Sequence, residues 1–279
     1  MRSKIPVLAV LGRKNSGKTT VIEHLASELL KKGFSVATSK HISHRDFSID
    51  TKGSDTWRHS IAGANPVVAV SDNEMSIIFK VKNPKIEFIS HLANGFGANI
   101  LILEGFSLMV MKDKSVGKII CVKSLEEYSE FMEADVSNVI AICSFQDFGE
   151  PILKISENFP VLIEKTLRFI ERRFKVLGIL DSLAGLDCGK CGRKTCEEMA
   201  EEIYLGEASV DECFPLRIKS ELSTRVYIYG RDVPLQPFVS EFIRKTVLGM
   251  ISSLKNVSIK GDEEVQIEIM GKNKINREV

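Results

Sequence analysis

The stretch Gly12-Arg13-Lys14-Asn15-Ser16-Gly17-Lys18-Thr19 fits the pattern G-x-x-x-x-G-K-[ST] at every fixed position. Each part has a chemical reason. The glycines let the backbone curl so that successive N–H groups face a phosphate. Lys18 brings a point charge to the β- and γ-phosphates, and the Thr19 hydroxyl is a magnesium ligand. A buried strand precedes the loop, since Pro6 to Leu11 is continuous and apolar. A helix follows it, since Val21, Ile22, Leu25, Leu29 and Leu30 recur at helical spacing between Lys18 and Lys32, with Gly33 as the stop. That helix directs its positive end at the same anion.

Working outward, residues 1 to about 175 alternate strand-like runs with helical patterns, which predicts an α/β fold with a parallel sheet and flanking helices. Further strands are expected at Phe34–Thr38, Pro66–Ser71, Met75–Val81, Asn99–Glu104, Lys118–Val122 and Asn138–Ser144. Helices are expected at Asp55–Ala64, Pro84–Ala93, Leu125–Glu133 and Val161–Phe174. The run Asn99-Ile100-Leu101-Ile102-Leu103-Glu104 ends an apolar strand in a carboxylate, the usual way to set an acid beside the magnesium or the attacking water.

Between these lies a polar stretch, Lys40 to Asp46 followed by Asp50, Gly53, Asp55 and Arg58. Loops at the carboxyl ends of parallel strands face the ligand crevice, so this one is placed to contact phosphate, magnesium or a second substrate. A zinc site on His41 and His44 lacks an obvious third ligand. Asp147, after the strand ending Cys143-Ser144, is placed to accept from a guanine edge. No Asn-Lys-x-Asp pattern occurs, and GTP against ATP stays open on the residues alone.

Cys188, Cys191, Cys196 and Cys213 fall within 26 residues, spaced C-x₂-C-x₄-C-x₁₆-C. Three thiolates in nine residues on a glycine-containing turn suit three corners of a cubane, and the fourth returns beyond a short helix, Glu197–Leu205. Structural zinc more often takes two C-x₂₋₄-C pairs, so a [4Fe–4S] cluster is favoured, with zinc as the alternative. The segment 176–218 is expected to depend on its metal for order. Cys121 and Cys143 lie in apolar runs and read as core residues. Residues 219–279 read as a small α/β module: a strand at Val226–Tyr229, a helix over Pro237–Lys255, a strand at Val265–Met270 and a polar tail. Three domains are expected, 1–175, 176–218 and 219–279.

The 279 residues carry 38 basic and 37 acidic side chains, a net charge of +1 that gives no footprint for bulk nucleic-acid binding. No apolar run approaches a membrane span and no signal peptide is visible, so a cytoplasmic protein without a membrane partner is expected.

The phosphate loop, Lys40-His41-x-x-His44-x-Asp46, Gly53-x-Asp55-x-x-Arg58-His59-x-x-Ala62-Gly63-Ala64 and Leu103-Glu104-Gly105-Phe106 occur in this order. Together they resemble the molybdopterin-guanine dinucleotide biosynthesis protein B (MobB) family over about residues 1–165. The resemblance implies a homodimeric GTP-binding protein with weak GTPase activity that assists a molybdopterin guanylyltransferase or a molybdo- or tungstoenzyme. By position it assigns Gly12, Asn15, Ser16, Gly17, Lys18, Thr19 and Thr20 to GTP and Mg²⁺. Lys18 and Glu104 take the catalytic roles, and Asp55 and Arg58, in the polar segment, are expected among the cofactor-binding residues. Two positions depart from the family: Ser107 stands where Lys is common, and Trp57 where a smaller residue or Tyr is usual.

Leu186-Asp187-Cys188-Gly189-x-Cys191-Gly192-x-x-Thr195-Cys196, then Gly206-Glu207-Ala208 and Cys213, resembles the small cluster domain of corrinoid iron–sulfur proteins. That resemblance implies a cluster that passes electrons. The sequence therefore predicts a nucleotide-binding accessory protein of molybdenum or tungsten cofactor assembly with slow GTP hydrolysis, since no strong general base is evident. Its rivals are a nucleotide-driven metal or cluster delivery protein, a redox module gated by nucleotide, and a plain adaptor whose cysteines are a structural staple.

Overall fold

The computed structural model describes residues 3–44, 47–221, 224–233, 235, 237–255, 257–260 and 264–269. These divide into two compact units, Met1–Ile179 and Leu180–Val279.

The first unit is built on a six-stranded sheet in the order β2-β5-β1-β6-β7-β8, every neighbouring pair parallel. The strands are β1 (Val7–Leu11), β2 (Val36–Lys40), β5 (Ile100–Glu104), β6 (Val116–Cys121), β7 (Val139–Ser144) and β8 (Ile152–Lys154). The continuous apolar runs follow from burial on both faces. On β1 and β5, Leu8, Val10, Ile100 and Ile102 enter one core, while Val7, Ala9, Leu11, Leu101 and Leu103 enter the opposite one. Two-residue alternation divides each run between the faces. The first core is closed by α1 (Lys18–Lys31), through Val21, Ile22, Leu25 and Leu29, and by α6 (Ile155–Ser182), through Leu162, Ile163, Phe169 and Ile170. Burying Leu25 and Leu29 contributes roughly 2 kcal/mol each. The second core takes α3 (Ile86–Gly95) and the short helix α4 (Ser107–Val110). Tyr128 and Phe131 of α5 (Leu125–Glu133) pack on Ile120, Val122, Ile142 and Ile152.

Three expectations change. β3 (Val67–Val70) and β4 (Met75–Ile78) leave the parallel sheet and form their own antiparallel hairpin, with Val68 opposite Ile77 and Val70 opposite Met75. One face of this ribbon is left uncovered: Val68, Val70, Met75 and Ile77 are exposed, while Val67 on the other face is buried. The helix expected at Val161–Phe174 extends to Ile155–Ser182, with Asn158 outside helical geometry just before Pro160. Proline fits near a helix start, where its missing N–H costs nothing. β8 and α4, at three and four residues, were too short for a periodicity to register.

The helix α2 (Asp55–Ile61) starts at Ser54, whose side chain accepts from the Trp57 amide. In the second unit, α7 (Cys196–Leu205) is capped by Thr195 and stopped by Gly206 at φ 78°. A 3₁₀ turn (Val210–Glu212) and α8 (Phe214–Glu221) flank Cys213. β9 (Val226–Ile228) and β10 (Arg231–Val233) form a hairpin ahead of α9 (Pro237–Ser252). The strand expected at Val265–Met270 is not formed over 265–269, and Met270 and the tail lie outside the described residues. Among the described residues no helix is long and apolar enough to cross a membrane.

Candidate functional site

The parallel register brings the carboxyl ends of β1, β2 and β5 to one edge, with Lys40 beside Glu104 and Glu104 beside Val10. The phosphate loop leaves β1 at this edge. Its glycines are required by space as well as by conformation. A Cβ on Gly12 (φ 147°) would stand 2.3 Å from the Cys121 carbonyl oxygen, and one on Gly17 (φ 86°) would stand 2.1 Å from the Phe145 ring. Gly17 is the N-cap of α1 and supplies no side chain to its first amides, so these donors are left to a ligand. Ser16 is buried at 3% exposure, and its hydroxyl has no hydrogen-bond partner among the described residues. An unpartnered buried hydroxyl costs stability unless something bonds it, and the loop around it is shaped for an anion.

Thr19 donates from Oγ1 to Glu104 Oε1 at 3.3 Å, and Lys40 Nζ pairs with the same oxygen at 2.8 Å. Hydroxyl, carboxylate and ammonium thus meet at the carboxyl edge of the sheet beside the loop. Lys18 Nζ folds across the loop to donate to the Arg13 carbonyl at 2.6 Å. Arg13 pairs with Glu130 of α5. Asn15 adopts φ 61°, and Thr20 lies in the first turn of α1.

Asp55 and Arg58 are not drawn into this group. They pair with each other at 3.7 Å on the exposed surface of α2, and no hydrogen bond or ion pair among the described residues ties them to the loop. The ordered acid of the polar stretch is Asp50, which accepts from Ser54 Oγ at 2.8 Å and Thr56 Oγ1 at 2.9 Å. Burial pushes its pKa up, but these hydrogen bonds and one from the Thr51 backbone outweigh it and leave the value lowered. The His41 ring lies 5.2 Å from Phe106, and Asp46 is outside the described residues. Asp147 accepts from the Gly149 amide and faces Lys154 at 3.8 Å.

The sequence places Lys40 in the polar segment but does not foretell its pairing with Glu104; shared strand-end position is the signal that points to it. The packing of Phe145, which follows the end of β7, against Gly17 is visible only in the structure. Cys121 and Cys143 face each other on β6 and β7 with sulfurs 3.6 Å apart, both buried. Their mutual hydrogen bond and burial push the Cys121 thiol up.

The second site lies wholly in the second unit. All four clustered cysteines line one shallow, open-sided pocket with Leu186, Asp187, Arg193, Met199 and Pro215. Cys196 and Cys213 are buried, Cys191 is half-buried and Cys188 is exposed. The ligand turn is tied to α7 reciprocally. Asp187 Oδ1 accepts from the Cys196 amide at 2.6 Å, and the Asp187 amide donates to Cys196 Sγ at 3.4 Å. Hydrogen bonds to Glu212 and Glu202 raise the Arg193 pKa further, and Arg193 in turn holds Glu212 below the usual carboxylate range. Among the described residues no three His, Cys, Asp or Glu side chains gather closely enough for a single metal ion.

Sheet order, phosphate loop and cysteine pocket define the class: a phosphate-loop α/β protein continued by a four-cysteine module. Residues 7–145 match the family described as "Molybdopterin guanine dinucleotide synthesis protein B" (MobB). Residues 183–215 match a family described as "Putative Fe-S cluster". A relative from Methanocaldococcus jannaschii, named "Putative molybdopterin-guanine dinucleotide biosynthesis adapter protein", is 28% identical over 263 residues, 94% of this chain and 97% of the relative. The molybdopterin-guanine dinucleotide biosynthesis adapter protein of Haemophilus influenzae is 29% identical, over 62% of this chain and 85% of its own. The crystal structure of Bacillus subtilis MobB is similar at 25% identity and a TM-score of 0.46, covering 60% of this chain and 98% of that one.

Proposed function

We propose that this protein is a GTP- and Mg²⁺-binding adapter of molybdopterin guanine dinucleotide assembly that carries a [4Fe–4S] cluster. The observation that supports it most is the meeting of Thr19 and Glu104 at 3.3 Å beside a loop whose Ser16 hydroxyl is buried and unpartnered. In this reading Gly12, Asn15, Ser16, Gly17, Lys18 and Thr20 hold the phosphates, and Thr19 and Glu104 organise the metal. Magnesium, when bound, neutralises charge developing on the phosphates. Lys18 adds its own charge there, and the loop amides orient the chain of phosphates. No group stands ready as a strong base, so hydrolysis is slow, well under the roughly 1–1,000 s⁻¹ of ordinary enzymes.

Cys188, Cys191, Cys196 and Cys213 hold the cluster. Four cysteines on one pocket wall, spaced C-x₂-C-x₄-C-x₁₆-C without a second C-x₂₋₄-C pair, support a cubane over zinc. Functionally the chain divides into residues 1–175 for nucleotide, 176–218 for the cluster and 219–279 as a small α/β module. Asp55 and Arg58 serve the contact with the partner, a guanylyltransferase or a molybdo- or tungstoenzyme, rather than the phosphates. The protein works as a homodimer in the cytoplasm. A two-stranded ribbon is marginal alone, and the β3–β4 hairpin exposes the cross-strand pairs Val68–Ile77 and Val70–Met75, the kind of apolar face that a second copy covers.

The test is anaerobic purification with iron and sulfide analysis, then titration of the same sample with GTP and ATP in Mg²⁺. About four irons and four sulfides per chain and tighter binding of GTP are expected. One zinc without sulfide would overturn the cluster, and equal affinity for ATP the guanine assignment. Ile77→Lys should convert the dimer to monomer in light scattering, and a wild-type monomer would overturn the dimer.

A further inference from the structure

We infer that Arg193 is the positioning residue of the cysteine pocket, fixing the Cys213 corner against the Cys191 loop and setting the electron affinity of the group they hold. The inference rests on the cluster reading above. Arg193 lines the same pocket as the four cysteines, and its side chain is only 17% exposed. One amino group of the guanidinium donates to the Cys191 carbonyl at 3.0 Å and to Glu212 Oε2 at 2.7 Å, and Nε donates to Glu202 Oε2 at 2.8 Å.

These partners lie on three separate segments. Cys191 is in the ligand turn. Glu202 is on α7, the helix that begins with Cys196. Glu212 immediately precedes Cys213. A single planar cation therefore ties together the segments that carry three of the four sulfurs. Glu212 passes the constraint on, because its other oxygen accepts from the Ser209 amide at 2.9 Å and closes the 3₁₀ turn before Cys213. Lysine cannot replace this arrangement, since an ammonium lacks the rigid fork that meets several acceptors in fixed directions.

The charge has a second effect. A thiolate-bound cluster gains one negative charge on reduction, and local charge is among the factors that set its potential. A fixed cation on the pocket wall favours the reduced form. Without it, Glu202 and Glu212 remain and oppose reduction. Position and charge can therefore be separated by substitution.

The full-length wild-type chain, Arg193→Lys, Arg193→Met and Glu212→Gln are purified anaerobically. Iron and sulfide are counted, loss of the visible absorption is timed under an iron chelator, and the midpoint potential is measured by spectroscopic titration. Circular dichroism checks that helix content is kept. Arg193→Lys should lose its cluster about 10-fold faster, the range of outer-shell substitutions at metal sites, with an unchanged midpoint. Arg193→Met should lose it as fast and show a lower midpoint. Glu212→Gln keeps an acceptor but drops a charge, so its midpoint should rise, and this decides the electrostatic half if Arg193→Met holds no cluster. Wild-type retention in both arginine variants overturns the positioning role. Midpoints that do not move in opposite senses for Arg193→Met and Glu212→Gln overturn the role of charge. A wild-type chain without iron and sulfide overturns the cluster reading itself, and this inference with it.

Discussion

At the phosphate loop, Thr19 arrives from α1 and Lys40 and Glu104 from β2 and β5, around a sheet with a hydrophobic core on each face. At the cysteine pocket, the four sulfurs come from one short stretch of chain, and the buried apolar side chains between residues 183 and 215 are few: Leu183, Met199 and Ala200 beside Cys196 and Cys213. The first site is held by a hydrophobic core that would exist without it. The second is held by polar links, namely Asp187 to Cys196 and Arg193 to Cys191, Glu202 and Glu212. Precision in the first is a by-product of folding. In the second it depends on each link and, on the proposed reading, on the cluster as well.

The largest expected effect tests that dependence directly. Cys213→Ser should remove nearly all iron, well over 10-fold weaker retention, while GTP affinity stays at the wild-type value. Iron analysis and nucleotide titration on one sample check both. A parallel fall in GTP affinity would show that the two sites are not energetically separate.

Next comes Gly17→Ala. The left-handed φ of 86° and the Phe145 ring 2.1 Å from the added methyl both oppose it. The cost should be on the order of 1–3 kcal/mol of stability and about 10-fold or more in nucleotide affinity. Adding Phe145→Ala should recover the steric part and leave the backbone part, separating the two in a double-mutant cycle.

The third effect belongs to the sheet. Lys118 on β6 is fully buried, and its ammonium donates to the Asp113 carbonyl and to Ser137 Oγ. Burial lowers its pKa from 10.5 to about 8, against the opposing pull of Asp113. Between those two values the unfolded chain binds more protons than the folded one, so stability climbs as pH rises through the window. The gain should be on the order of 2 kcal/mol, seen in urea melts from pH 7.5 to 10.5. Lys118→Met should flatten that slope. The smallest effect is at the surface: Arg58→Ala should change stability by less than about 0.5 kcal/mol, since its pair with Asp55 is exposed.

The same contrast governs what could be read in the chain. The phosphate loop and the cysteines are contiguous patterns, each with its chemistry written in adjacent letters. The strand ending in Glu104 was legible because a single acid closing an apolar run stands out against the four aliphatic residues before it. Membership of a sheet is another matter. Pro66–Ser71 and Met75–Val81 carry strand periodicity, but nothing local distinguishes a ribbon that leaves the sheet from two strands within it. The meeting of Lys40 with Glu104 depends on β2 lying beside β5, a pairing of residues 64 positions apart. Arg193 looks like one charged residue in a ligand turn until α7 and the 3₁₀ turn bring carboxylates to it. β8 and α4 are too brief for any period to show.

The Ser54 cap of α2 has a practical consequence. Trp57, whose amide closes that cap, is the only tryptophan of the chain. Ultraviolet emission excited at the indole band therefore originates in a single turn, the one knotted to Asp50 by Ser54 and Thr56. The protein carries its own unlabelled optical probe of the polar segment, and the colour or intensity of that light follows α2 alone.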